Sequence, residues 1–179
     1  KNMGVASQIG AAGVVFHGGS HLGAGFESIF AQAVAAIEEV LSQSPSDVYL
    51  IVENSAGMGS HVGSSFEEIG RLVSAVKKSQ LMVCLDTQHC HAAGYNIADP
   101  EGIDGAMEEF DAEIGLSRLV VVHANDSKDP FDSRRDRHQN LGSGECPSDG
   151  LAAAIAHANA PVVVETPGGA TEHTSDIEW

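Results

Sequence analysis

Long apolar runs are missing from this 179-residue sequence. A helix that crosses a membrane needs about 18 or more consecutive apolar residues. Here a charge, glycine or proline breaks every hydrophobic stretch within roughly ten positions, so no membrane partner is expected. Cysteine is scarce as well. Cys84, Cys90 and Cys146 form an odd set with no Cys-x-x-Cys spacing, which argues against a disulfide framework and for a reducing, cytoplasmic compartment. Lys1-Asn2-Met3-Gly4 shows no charged-then-apolar leader, so neither a secretory nor an organellar signal is expected. Positive charge is in short supply: nine Lys and Arg face 25 Asp and Glu, for a formal net charge of -16. That balance opposes a long-range basic footprint for nucleic acid. Two effects soften it, because metal ions neutralise the carboxylates that bind them and a few cationic side chains can hold a phosphate locally. A saline habitat is another origin for such acidity. Internal repeats, low-complexity tracts and domain linkers are also lacking, and with 42% hydrophobic residues a single domain over residues 1–179 is expected.

What is present is a rhythm. Short runs rich in Val, Ile and Leu occupy residues 13–16, 48–52, 81–85, 119–122 and 162–164. Between them lie stretches with apolar residues at three- and four-residue spacing over 25–41 and 66–76, and further helix candidates over 103–114 and 151–158, the last weakly patterned because Ala dominates. The rhythm predicts β/α units around a parallel sheet. Ser64 or Ser65 is a candidate N-cap for the second helix, with Glu67 and Glu68 in its first turn, where the helix dipole favours them. Residues 126–147, dense in Asp, Arg, Ser, Gly and Pro, read as one long functional loop.

Each apolar run ends on a residue that can ligate a metal: His17, Glu53, Asp86, His123 and Glu165. One such residue alone is more often a buried polar group satisfied by backbone. Five together are what a metal site needs, because the C-terminal ends of parallel barrel strands converge on one face. Asp86-Thr87-Gln88-His89 sets two ligand types three apart, where a tight turn would aim them at neighbouring metal positions, with His91 as rival to His89. Asp136 and His138 lie two apart, and in an extended segment such side chains project to the same side. As part of the charge run Arg134-Arg135-Asp136-Arg137-His138, they equally suit a solvated surface. Histidine and carboxylate without cysteine suit zinc, with Mn2+ as a substitute. Clustered divalent ions suit phosphodiester hydrolysis, since they acidify a bridging water and offset charge at phosphorus.

Six segments in this order resemble the endonuclease IV family: Phe16-His17-Gly18-Gly19-Ser20-His21, Val52-Glu53-Asn54-Ser55-Ala56-Gly57-Met58-Gly59, Cys84-Leu85-Asp86-Thr87-Gln88-His89 with Ala92-Ala93-Gly94-Tyr95 after it, His123-Ala124-Asn125-Asp126-Ser127-Lys128, Asp136-Arg137-His138-Gln139-Asn140-Leu141-Gly142 and Glu165-Thr166-Pro167. The resemblance implies a TIM-type (β/α)8 barrel and hydrolysis of the phosphodiester 5′ to an abasic site in double-stranded DNA, leaving a 3′-hydroxyl and a 5′-deoxyribose phosphate. It implies three zinc ions per complete site. His17 and Glu53 would serve one, Glu53 also bridging to a second held by Asp86, His123 and Glu165; His89, Asp136 and His138 would hold the third. A hydroxide activated by that cluster would attack phosphorus, with Glu53, Glu165, Asp136 and His138 as the catalytic set. Asn125, Ser127, Lys128, Arg135 and Arg137 are candidate phosphate contacts.

Gly18 and Gln88 stand where the family commonly has Pro and Cys, and neither change removes a ligand. The correspondence covers the family's strands three to eight, with the seventh expected near residues 136–141 and the two preceding β/α units outside the match. The barrel is thus expected to be incomplete, since about 200 residues is already lean for this fold. The family is monomeric; an open edge at residues 14–17 would favour association of chains. A nucleoid-associated location is implied, or a nuclear or mitochondrial one in a eukaryote. Two other classes fit the same residues less fully: a divalent-metal sugar isomerase or epimerase of the same barrel type, and a non-catalytic relative acting as a binding module.

Overall fold

The computed structural model describes residues 1–179. Chain order explains the architecture. Helix α1 (Asn2–Ile9) leads into β1 (Gly13–His17), α2 (Phe26–Ser42) returns to β2 (Tyr49–Glu53), α3 (Phe66–Val76) to β3 (Leu81–Asp86), and α4 (Thr87–Ala93) with α5 (Pro100–Glu113) to β4 (Leu119–His123). Connections of that length rule out hairpins, so all these strands run the same way. After β4 come β5 (Asp126–Ser127), β6 (His138–Gln139), α6 (Ser148–Ala158), β7 (Val162–Val163) and α7 (Ala170–Glu178).

Five strands form one parallel sheet in the order β1-β2-β3-β4-β7. Its register brings ligand types level: His17 lies opposite Glu53, and Asp86 opposite His123. Helices cover the sheet with a core in which Phe66 stacks on Tyr95 at 4.0 Å and meets Phe110 edge-on at 5.3 Å. Central strands β2 and β3 are buried along nearly their whole length, whereas β1 and β7, the two edges, are half-buried or exposed. No helix is long and apolar enough to cross a membrane.

Two expectations need correction. The barrel strand expected near 136–141 does not join the parallel sheet; β4 pairs directly with β7, and β6 pairs antiparallel with β5. The reason is composition, since of residues 136–141 only Leu141 is apolar and a strand buried on both faces needs a continuous apolar run. Instead the buried Asp126 carboxylate collects the amides of Ser127, Gly144 and Cys146. Gly144 is required there, because a Cβ would collide with the Ser127 carbonyl oxygen. Second, Asp86 to His89 is not a tight turn but the start of α4. Asp86 caps it by accepting from the His89 amide at 2.8 Å, and Gly94 closes it in the left-handed conformation.

Candidate metal centre

The last residues of β1 to β4 emerge on one rim of the sheet. Glu53, Asp86 and His123 are almost fully buried there, while the His17 side chain is 56% exposed. Glu53 divides its two oxygens: Oε2 lies 3.6 Å from His17 Nε2 and Oε1 lies 2.9 Å from His123 Nδ1. Glu165, two residues beyond β7, brings Oε2 to 3.0 Å from the same His123 nitrogen. Asp86 Oδ2 is 4.0 Å from His123 Nδ1 and 3.9 Å from His138 Nε2, between the two halves of the cluster. In the second half Asp136 Oδ1 lies 3.3 Å from both His89 Nε2 and His138 Nε2, which are 3.5 Å from each other. The eight candidate ligands thus form one chain of close contacts.

Why the side chains point this way is visible behind them. His89 Nδ1 sits 2.8 Å from the Asn54 carbonyl oxygen and His138 Nδ1 sits 3.2 Å from that of Glu165. Each Nδ1–H donates to its carbonyl, which leaves both Nε2 lone pairs facing inward. Asn54 also ties β2 to β3, its Oδ1 accepting from the Asp86 amide at 2.7 Å and its Nδ2 donating to the Asp86 carbonyl at 3.2 Å. Asn125 donates to Asp86 Oδ2 at 2.6 Å and accepts from the Glu165 amide at 2.9 Å, so one buried amide places two candidate ligands.

The donor set fits zinc. Tetrahedral coordination at roughly 2.0–2.1 Å separates neighbouring ligand atoms by about 3.3 Å. The triangle of Asp136 Oδ1, His89 Nε2 and His138 Nε2, with edges of 3.3, 3.3 and 3.5 Å, has that size. The ligand atoms of Glu53, Asp86, His123 and Glu165 all lie within 4.8 Å of one another, as do those of Asp86, His89 and His138. Lone pairs that converge at such distances repel unless a cation lies between them.

In the metal-free protein protons take that part. Burial opposes a charged His89, but Asp86, then Asp136 and Glu53, outweigh it and push the imidazole up to about 9. His123 is raised against burial mainly by the Glu53 hydrogen bond, and His138 mainly by Asp136. Hydrogen bonds from His138 and His89 hold the Asp136 carboxyl far below its usual range. Metal ligation takes neutral imidazole, so each ion bound must expel protons. Zinc affinity of the metal-free chain is therefore expected to rise from about pH 6 to about 9, where His89 deprotonates, and then to flatten. Calorimetry in buffers of different ionisation enthalpy reads the released protons; affinity independent of pH would contradict the arrangement.

His91, the rival to His89, points away and packs its ring edge-on against Phe131 at 5.7 Å. Cys84 lies within ligand distance of Glu53 and His123, but burial pushes its thiol up, so it stays protonated beneath the site. Among the candidate phosphate contacts, Asn125 and Ser127 require correction. Both are fully buried, Asn125 engaged as above and Ser127 Oγ donating to the Asp129 carbonyl at 2.8 Å, so neither reaches a ligand at the surface. Lys128 is exposed, and Arg135 and Arg137 present guanidinium groups that share the buried carboxylate of Asp129. The spacing of ligand types gives no hint of Asn54. An asparagine directly after a strand-end carboxylate is the one signal that points to it.

Across residues 1–179 the chain matches the family described as xylose isomerase-like TIM barrel. Probable endonuclease 4 of a Geobacillus strain is 44% identical over 163 residues, covering 89% of this chain and 54% of the relative. Its Bacillus subtilis counterpart is 42% identical over the same length and coverage. The crystal structure of endonuclease IV from Thermus thermophilus superposes with a TM-score of 0.79 at 35% identity, over 97% of this chain and 61% of that one. A D-tagatose 3-epimerase-like protein superposes with a TM-score of 0.74 at 17% identity, a likeness of fold alone. The chain spans little more than half the length of the curated relatives it matches.

Proposed function

The chain belongs to the xylose isomerase-like TIM barrel family, and from that premise we propose that it carries the metal-binding part of an endonuclease IV-type DNA-repair hydrolase, cutting the phosphodiester 5′ to an abasic site. Glu53 is the observation that carries the reading: a buried carboxylate whose two oxygens face different histidines is built to join two ions. Glu53, Asp86, His123 and Glu165 would hold one zinc, His89, Asp136 and His138 another, and His17 with Glu53 a third. When bound, such ions lower the pKa of water and offset the charge that develops on phosphorus and on the leaving oxygen.

The chain's own residues do the rest. Asp86 stands between the two halves of the centre and Asn125 fixes its carboxylate, so a phosphate reaching the rim meets the ligands at fixed spacing. Lys128, whose amide donates to the Arg137 carbonyl, and Arg135 and Arg137, which share the Asp129 carboxylate, are local cations next to Asp136 in an otherwise acidic protein and would hold the flanking backbone phosphates. A sugar isomerase or epimerase engages one or two ions and has no use for a third group around Asp136.

Zinc content and activity test this together. Fully loaded protein is expected to hold about three zinc per chain, with the ion at His17 and Glu53 the first lost on dialysis because only two side chains reach it. Loaded protein should nick a labelled duplex carrying one abasic site, a strong chelator should silence it, and Mg2+ should not restore it. Protein that retains no zinc, or that Mg2+ restores, would refute the assignment.

A further inference from the structure

Residues 128–137 hold chemistry that the metal centre leaves unused. Four of the nine Lys and Arg of the whole chain fall within them, and Phe131 stands among them 51% exposed. This loop is held firmly. The amides of Asp132 and Arg134 donate to the carbonyls of His91 and Ala92 at the end of α4, both at 3.0 Å. Both residues sit in the left-handed region, at φ 58° and 55°. Of the five non-glycine residues with positive φ, Lys77 and Asn159 are helix C-caps, whereas Asp132, Arg134 and Leu22 lie in loops on the ligand-bearing rim. Side chains other than glycine avoid that backbone unless the surroundings impose it, and imposed strain gathers at functional sites.

Behind Phe131 opens a cavity of about 600 Å³ whose walls include His91, Asn96, Pro130, Phe131, Glu145 and Pro147 but none of the eight candidate metal ligands. Its faces are flat and apolar, from an aromatic ring and two prolines. Polar groups stand at the edges. His91 is 4% exposed and its Nε2 has no hydrogen-bond partner, and the exposed Glu145 carboxylate can only accept hydrogen bonds.

We propose that this cavity is a nucleobase-binding subsite, resting on the DNA-directed reading above: a base stacks on Phe131 and turns an exocyclic amino group to Glu145. Flat aromatic surfaces next to cations are how proteins hold unpaired bases, each base offering a π-face and its phosphate a charge. Lys128, exposed on the same loop, supplies that charge, whereas Arg134 is paired with Asp132 at 2.8 Å. Glu145 sets the preference. A carboxylate pairs with the amino groups of guanine, cytosine or adenine, while thymine offers carbonyl oxygens at those positions.

The test is titration of the zinc-loaded chain with dGMP, dTMP and inorganic phosphate, followed by calorimetry. Binding of dGMP is expected to exceed that of dTMP by about fivefold. Phe131→Ala should weaken dGMP about tenfold while Phe131→Trp retains it. Glu145→Gln should erase the difference between the two nucleotides. Thermal unfolding and zinc content should not change in these variants, since all three alter exposed side chains outside the ligand set. Binding of dGMP no tighter than phosphate, or unaffected by Phe131→Ala, overturns the subsite. The endonuclease reading fails separately, as an abasic duplex left intact by a chain that still prefers dGMP over dTMP.

Discussion

Replacing Glu53 by glutamine is expected to reduce cleavage of an abasic duplex by on the order of a thousandfold or more, while the protein stays folded. The substitution is nearly isosteric, so the 3% exposed site is neither emptied nor overfilled. What changes is ligand chemistry. An amide has one acceptor oxygen and one NH2 group, and whichever way it turns, either His17 or His123 loses its carboxylate partner at 3.6 or 2.9 Å. Two ions that share Glu53 would then lose their bridge at once, and zinc content should fall from about three to about one, held by His89, Asp136 and His138. Cys84→Ser supplies the control. Its thiol lies near the same atoms yet is kept protonated by burial, so zinc content should stay at the wild-type level. Activity within a few-fold of wild type in Glu53→Gln would remove this carboxylate from the mechanism.

The legible part of the site came from one regularity. Apolar runs long enough to be strands each ended on a side chain able to bind metal, and parallel pairing in register guarantees that such ends share a rim. His17, Glu53, Asp86 and His123 follow from that alone, and their cross-strand partners in the sheet match it. Asp136 and His138 were legible only as a pair of ligand types in a polar segment. Nothing local says that their loop folds back over α4, because that depends on Asp132 and Arg134 reaching helix carbonyls far away in sequence. The same limit explains the missing seventh strand. Periodicity reports how a segment buries itself, and residues 136–141 are instead held by contacts made elsewhere, such as the Asp176 carboxylate that receives the Leu141 amide at 2.9 Å. Helix α4 escaped for a different reason. Seven residues are too few to show a helical period, yet Asp86 and Gly94 were both readable as caps.

Asn125 distinguishes a phosphate contact from a residue that works through others, and Asn125→Ala is expected to separate them clearly. A phosphate contact, once removed, would weaken DNA binding even in protein saturated with zinc, because its hydrogen bond to the backbone is lost. Full burial and two hydrogen bonds, to Asp86 Oδ2 at 2.6 Å and from the Glu165 amide at 2.9 Å, predict a different outcome. Losing them frees the Asp86 carboxylate to rotate and leaves a buried backbone N–H without an acceptor, at a cost of about 1–3 kcal/mol in stability. Partners that orient metal ligands typically contribute about 10–100-fold in metal affinity. Zinc should therefore dissociate more readily from the group that contains Asp86 and Glu165, and activity should recover at higher zinc concentration. DNA affinity of the zinc-saturated variant should match wild type. Weaker DNA binding by the zinc-saturated variant with unchanged zinc affinity would return Asn125 to the DNA interface and leave Asp86 positioned by Asn54 and the α4 cap alone.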